Sequence, residues 1–304
     1  MSTNNTIIVY PCVLRLPAVL SCILVVVALP FNLLIFKILI SNYRLRLPRH
    51  KILLSLTVSD CMQITLVAFT LFVALLSKLN TTDAFCQVLR NFAGFVGTLT
   101  LIASSGSIIA LSIERYITCV HCLRVYQILS HKRVKIALCG IWLFAVVGAL
   151  ADEKRYKSNS TENIPMSRFA NVLYGSVIMF STTCLVYTQI NLYLVARRLI
   201  RNQPGGSFGS QAEAHDFRKR QLKASIAASA VVVLYVVCMC PLGIYMFTTA
   251  FTGVSVQSSF RIVSIFLAQV NTFVDPFVYG LGMEDTRRTI KRELKKMKSF
   301  IKDI

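Results

Sequence analysis

The chain has 304 residues, of which 55% are hydrophobic and only 15% are charged. Its mean hydropathy is +0.62. Such a composition excludes a soluble globular domain. The formal net charge of +20 lies in blocks between apolar runs, not in one basic domain. Nucleic acid is therefore not expected as a partner.

Seven apolar runs follow one another along the chain, and we expect each to cross a bilayer as a helix. Asp60 interrupts the second run and Asp275 the seventh. The fourth is short and is expected to use Lys135 as a snorkelling end. The sixth loses hydrophobicity from residue 252, where a loop is expected. The runs are 16–36, 52–77, 91–113, 136–151, 169–196, 224–260 and 262–283. The predicted fold is an all-α membrane protein, a bundle of seven transmembrane helices.

Basic residues indicate how the bundle is oriented. With the N-terminus outside, the inner connecting segments carry 24 Lys and Arg and the outer segments carry 7. The positive-inside rule therefore predicts an extracellular N-terminus in a multi-pass protein of the plasma membrane, with its basic face against anionic membrane lipids. Three glycosylation sequons, which begin at Asn4, Asn80 and Asn159, all fall outside in this topology.

Three regions are expected along the chain. Residues 1–13 form an extracellular N-terminus, residues 14–282 the seven-helix domain, and residues 283–304 a cytoplasmic amphipathic helix and tail. In that last region, a threonine and four apolar residues recur every three or four positions, and Arg and Lys occupy the remaining faces. This pattern is typical of an amphipathic eighth helix that lies on the membrane surface. The recurring residues are Thr286, Ile290, Leu294, Met297 and Ile301.

Most of the ten cysteines lie inside the predicted helices, where small buried hydrophobes are the simpler interpretation. Cys12 and Cys86 fall near the outer surface, where a disulfide between them is an alternative to two free thiols. Cys238 and Cys240 form a Cys-x-Cys pair with no histidine in the bundle to accompany it. Packing is therefore favoured over metal binding.

Two places carry charge where a membrane disfavours it. Glu114 and Arg115 stand together where the third run ends, either as a helix-end anchor or as a functional pair. Asp60, inside the second run, needs a partner, a cation or a proton. No Walker loop, Gly-x-Ser-x-Gly or HExxH motif occurs, so we predict that the protein is not an enzyme.

An ordered set of motifs resembles the rhodopsin-like (class A) G-protein-coupled receptors. Glu114-Arg115-Tyr116 ends the third span, and Asp275-Pro276-Phe277-Val278-Tyr279 closes the seventh. Single residues match in order on the first, second, fourth and sixth spans. They are Asn32, Asp60, Trp142, Cys238 and Pro241. Leu123-Arg124-Val125-Tyr126 is most similar to the melanocortin-receptor loop, and Val195-Ala196-Arg197-Arg198 resembles the adenosine-like receptors.

The resemblance implies a receptor that binds an extracellular ligand in the bundle. It would activate heterotrimeric G proteins through Glu114, Arg115 and Tyr116, with Tyr187 and Tyr279 steadying Arg115. Further residues would form the helix-six hinge and the helix-seven motif. These are Tyr235, Cys238, Met239, Pro241, Asp275 and Pro276.

The resemblance also implies a buried polar core and an allosteric ion site. Asn32, Asp60 and Trp142 belong to the polar core. Asp60, Ser104, Asn271 and Asp275 match the sodium pocket of the family. Two carboxylates in one buried site favour a cation or one shared proton. No other cofactor is expected.

The chain also departs from the family pattern. Met239 replaces a tryptophan, Phe31 a glycine and Arg90 a cysteine, which makes a disulfide-pinned lid over the ligand doubtful. Gln221 replaces the acid that locks the arginine in relatives, so we predict raised ligand-free signalling.

Two further departures from the family pattern argue against the binding of two ligand classes. Gln269 stands at the position of the retinal lysine, and Gly97 at that of the amine-binding aspartate. Retinal and monoamines are therefore not expected, whereas a peptide, a lipid or another small molecule remains. The alternatives are a chemosensory receptor of the same fold, a receptor that scaffolds without coupling, and a seven-helix transporter or channel.

Overall fold

The structure is a computed structural model, and it describes residues 9–41, 48–76, 83–120, 124–156, 164–201, 232–252, 258–275 and 292. Its regular structure is entirely helical within those ranges. Seven long helices are described, with a one-turn helix, Val125–Ile128, before the fourth. The long helices are α1 (Val9–Ser41), α2 (Pro48–Leu76), α3 (Asp83–Val120), α4 (His131–Tyr156), α5 (Ile164–Arg201), α6 (Val232–Thr252) and α7 (Ser258–Asp275). The predicted all-helical bundle of seven long helices is confirmed.

Six of these helices contain a stretch that is long and apolar enough to cross a membrane. The stretches are Val19–Ser41, Pro48–Thr70, Asn91–Thr118, His131–Ala151, Asn171–Val195 and Val232–Thr252. The described part of α7 is more polar than these and is not one of the six. α4 begins five residues before the apolar run, and its Lys132, Arg133 and Lys135 are exposed, as snorkelling side chains would be.

Several predicted features lie outside the described residues. They are the sequons at Asn4, Asn80 and Asn159, the motif residues Pro276 and Tyr279, Gln221, and all of the predicted eighth helix except Arg292. Cys12 and Cys86 fall within α1 and α3, but their side chains are outside the described part. The disulfide, the glycans and the eighth helix therefore stay predictions.

α3 lies at the centre of the bundle, because it packs against α2, α4 and α5. α1 packs against α2 and α7 at one side, and α2 also contacts α7. Where α3 meets α4, a Cβ atom on Gly106 would lie 2.7 Å from Ile141 Cγ2, so this close approach requires glycine. Small residues at such contacts are typical of helices packed within a membrane.

One buried apolar cluster joins all of the helices from α1 to α6, with Val134 as the member from α4. Its most enclosed members include Ile35, Leu53, Ile108, Leu185 and Tyr235, each no more than 1% exposed. Around it, many hydroxyls donate to a carbonyl one turn earlier in their own helix. These hydroxyls are satisfied within their own helix and need no partner from another one. The side-chain hydrogen bonds that do join two helices therefore identify specific contacts between them.

Candidate coupling site and buried polar core

Glu114 is a buried acid near the C-terminal end of α3, and only 8% of the residue is exposed. One turn further along, Thr118 Oγ1 donates a hydrogen bond of 3.1 Å to Glu114 Oε1. The charge of Glu114 is attracted by Arg49 of α2 and by its neighbour Arg115. The acid is thus held between two helices at the end of the span.

The sequence indicated Arg115 as the partner of Glu114 and did not indicate Arg49. Arg49 stands in a basic segment that we expected to be an inner turn, but the structure makes it part of the first turn of α2. Because α2 and α3 pack together, the guanidinium of Arg49 lies close enough to Glu114 for their charges to attract. The missing information was that α2 begins at Pro48, inside that segment. Arg115 and Tyr116 are both half-buried beside this site.

Asp60 and Asp275 are two further buried carboxylates, 1% and 4% exposed respectively. Ser104 Oγ donates to Asp60 Oδ1 at 3.4 Å, and Asp60 Oδ2 has no hydrogen-bond partner among the described residues. Asn271 Nδ2 donates to Asp275 Oδ2 at 3.1 Å. The two aspartates are close enough for their charges to repel. The structure therefore brings the four predicted ion-site residues into one region of α2, α3 and α7.

Asn32 and Trp142 occupy separate positions in the polar core. Asn32 is fully buried in α1; its Nδ2 donates to Ala28 O at 3.1 Å, while its Oδ1 lacks a described partner. Trp142 Nε1 of α4 donates to Ser55 Oγ of α2 at 2.9 Å. Ser55 and Ser107 of α3 are joined by a further bond of 3.1 Å. A short hydroxyl chain thus links α4, α2 and α3.

Tyr235 connects α6 to the rest of the bundle. It is 1% exposed, and its hydroxyl donates to Ser105 Oγ of α3 at 3.0 Å. Ser181 of α5 also interacts with this hydroxyl. Three helices therefore meet at one buried phenol, which is a polar contact within an otherwise apolar cluster.

The other predicted residues of α5 and α6 have different environments. Cys238 and Met239 are buried in the apolar cluster, and α6 is helical through the half-buried Pro241. Tyr187 is 67% exposed, so its side chain is not within the bundle and is not brought to Arg115 in this conformation. The thiols of Cys238 and Cys240 are free.

A second polar group lies in the half of the bundle that contains the N-terminal part of α1. Ser21 Oγ of α1 donates to Gln269 Oε1 of α7 at 2.8 Å, and Thr100 of α3 bonds to Gln63 of α2. Of these four residues, only Gln269 was singled out from the sequence, as the residue at the position of the retinal lysine. A usable signal was present, because amides and hydroxyls inside apolar runs are the residues that join helices in membranes.

Comparisons with known proteins agree with this architecture. Residues 31–279 match the profile of the family described as "7 transmembrane receptor (rhodopsin family)". Melanocortin receptor 5 of Mus musculus is 23% identical over 273 residues, which cover 87% of this chain and 80% of that protein. Melanocortin receptor 4 of Danio rerio is 24% identical over 279 residues, covering 87% and 79%. Melanopsin-B of Xenopus laevis is 23% identical over 287 residues, covering 90% and 53%.

Proposed function

Since the chain belongs to the rhodopsin family of seven-transmembrane receptors, we propose that it couples an extracellular ligand to heterotrimeric G proteins through Glu114, Arg115 and Tyr116. Members of this family are receptors and not enzymes. The observation that supports the proposed switch is the burial of Glu114 between α2 and α3, beside two arginines. We propose that Arg115 is the group released to the G protein.

The physical reason is that a partly buried ion pair is only marginally stable. Desolvating the two charges costs about as much as their attraction returns, so a partner that offers Arg115 better contacts can compete for it. Arg49 makes this exchange easier, because it can continue to neutralise Glu114 after Arg115 has moved. In this proposal Glu114 stays in place and Arg115 moves.

Arg115→Ala tests the proposal through ligand-free and ligand-stimulated nucleotide exchange on a panel of G proteins. We expect exchange to fall to the level of membranes that lack the receptor. Arg124→Ala is the matched control, since Arg124 is an exposed arginine on the same side of the bundle. Equal exchange by the parent and Arg115→Ala, at equal surface expression, would contradict the switch.

For the ligand, we propose that melanocortin peptides be tested first, because the first relatives are melanocortin receptors. Retinal is not proposed: Gln269 has an amide, which cannot form a Schiff base, and its oxygen is bonded to Ser21. The same switch would serve a chemosensory receptor with a different ligand. A screen of peptides, lipids and small molecules would separate the two.

We also propose an allosteric sodium ion held by Asp60, Ser104, Asn271 and Asp275. The residues fit this ion, because all four offer oxygen atoms, which hard cations prefer, and Asp60 Oδ2 has no hydrogen-bond partner among the described residues. Bound sodium would supply a positive charge between the two carboxylates. One proton shared by the aspartates is the competing explanation.

The proposed location is the plasma membrane, with the N-terminus outside. The excess of basic residues in the inner segments supports this orientation. If it is correct, substituting Asn4, Asn80 and Asn159 by glutamine one at a time will remove glycans from the protein expressed in cells. An unglycosylated parent, whose N-terminus is reached by antibody only after permeabilisation, would contradict the orientation.

A further inference from the structure

A groove of about 410 Å³ lies between α3, α4 and α5. Gly106 and Ile109 of α3 line it together with Ile141 and Phe144 of α4 and Phe180 of α5. No charged residue is among its lining. Phe144 and Phe180 are 51% and 66% exposed, so the groove opens sideways, between two aromatic rings, at the surface that faces the bilayer.

The groove lies deep in the membrane. Gly106 is 15 residues from Asn91 and 12 from Thr118, the two ends of the α3 span, which is about 22 Å and about 18 Å along a helix. Ile141 is 10 residues from each end of the α4 span, His131 and Ala151, or about 15 Å. The hydrocarbon core of a bilayer is about 30 Å thick, so the groove opens near its middle. Water and charged headgroups do not reach this depth.

The size and position of the groove favour a lipid chain as its occupant. A dry apolar cavity of about 150 Å³ already binds benzene, so the larger groove has room for several methylene groups. Its mouth opens in the hydrocarbon core, where acyl chains are the molecules that surround the protein. A neighbouring cavity shares Ile102, Phe144 and Val177, but at about 10 Å³ it does not extend the groove.

We propose that this groove binds one acyl chain of a membrane lipid, at a site separate from that of the extracellular ligand. Gly106 allows α4 to approach α3 closely, and it lines the groove without contributing a side chain. The inner wall includes Ser181, which interacts with Tyr235 of α6. The bound chain therefore lies against the helix that contacts the α6 phenol.

Quenching of tryptophan fluorescence by brominated lipid tests the site in the full-length protein. Phe144→Trp places an indole at the groove, and Leu143→Trp is the matched control on the adjacent, 67% exposed position, which does not line the groove. Trp142 is the only native tryptophan and is common to both, so the parent's signal can be subtracted. The receptor is placed in nanodiscs with increasing fractions of phosphatidylcholine brominated in mid-chain.

We expect half-maximal quenching of Phe144→Trp at a bromolipid fraction at least threefold below that of Leu143→Trp. Ser176→Phe, which adds a ring at an exposed lining position, should remove this difference without changing the Leu143→Trp curve. Phe180→Trp is a second reporter, on the opposite wall, should Phe144→Trp not fold. Identical curves for the groove and control reporters would overturn the proposal, because the groove would then be part of the general lipid annulus. A change of both curves by Ser176→Phe would overturn it as well.

Discussion

Tyr235 of α6 donates a hydrogen bond of 3.0 Å to Ser105 of α3 inside the buried core, with Ser181 of α5 beside it. In an environment without water, breaking such a bond leaves a phenol and a hydroxyl without partners. The contact therefore favours the arrangement in which α6 lies against α3. Movement of α6 away from the bundle would have to break it.

Tyr235→Phe should loosen α6 while keeping the ring in the apolar cluster. We expect the free energy of unfolding, measured by thermal unfolding, to fall by about 1 kcal/mol, which is the usual net contribution of one hydrogen bond. If G-protein coupling requires α6 to move outward, ligand-free nucleotide exchange should rise. Both quantities can be measured on purified receptor in nanodiscs.

Ser105→Ala is the matched control for this bond, since it removes the other partner. The double variant should be about as stable as the less stable of the two single variants, within a few tenths of a kcal/mol. The reason is that both changes break the same bond. Fully additive losses would show that the two side chains act independently.

Asp60→Asn should abolish any stabilisation by sodium. We expect the melting temperature of the parent to rise when sodium replaces potassium at constant ionic strength, and that of Asp60→Asn to stay unchanged. Thr57→Ala should keep the response, because Thr57 is buried on the same helix but donates to its own Leu53 carbonyl. A parent without any sodium response would favour the shared proton over the ion.

Three glycine-to-alanine changes should have graded effects on stability. Gly106→Ala brings the new Cβ atom within 2.7 Å of Ile141 Cγ2, close to the backbone of α4, and overpacking of this kind costs about 1–3 kcal/mol. At Gly148→Ala the contact is Ile102 Cδ1, a side-chain end that can move, so the cost should be smaller. Gly140→Ala meets nothing within 4 Å and should be neutral or slightly stabilising. Thermal unfolding in one detergent would rank them, and a destabilised Gly140→Ala would contradict the packing argument.

Trp142→Phe should cost more than the loss of one hydrogen bond, about 1 kcal/mol, because the smaller ring also loses contacts. Ser107→Ala should cost less, since Ser55 keeps its bond from Trp142. Differential scanning fluorimetry on both variants would measure the difference. If Ser107→Ala lowered the stability more than Trp142→Phe, Ser107 and not the indole would make the larger contribution to this group of hydrogen bonds.

The number of helices and the family could be predicted because both depend on features that lie along the chain. Apolar runs report spans directly, and Asp60 and Asp275 are conspicuous as charges inside them. Helix ends were less predictable: α4 begins at His131, because its basic side chains can extend to the membrane surface.

Contacts between helices could not be predicted from the sequence, because they depend on how each helix is rotated about its own axis. Ser105 differs from Ser104 by one position, yet one bonds to Tyr235 and the other to Asp60. The role of Arg49 depended on α2 starting at Pro48, and the exposure of Tyr187 depended on which face α5 turns inward. Such facts need the packed bundle.

The described part of α7 contains Arg261, Gln269, Asn271 and Asp275, and it is the long helix that packs against α1 and α2. α1, by contrast, contains the most apolar of the six described stretches. During synthesis the first span can therefore enter the lipid on its own hydrophobicity. The last arrives with amides and a carboxylate that hydrocarbon alone would reject, and it needs the earlier helices already assembled to receive them. The first and the last of these helices therefore leave the ribosome in the order in which each can become stable.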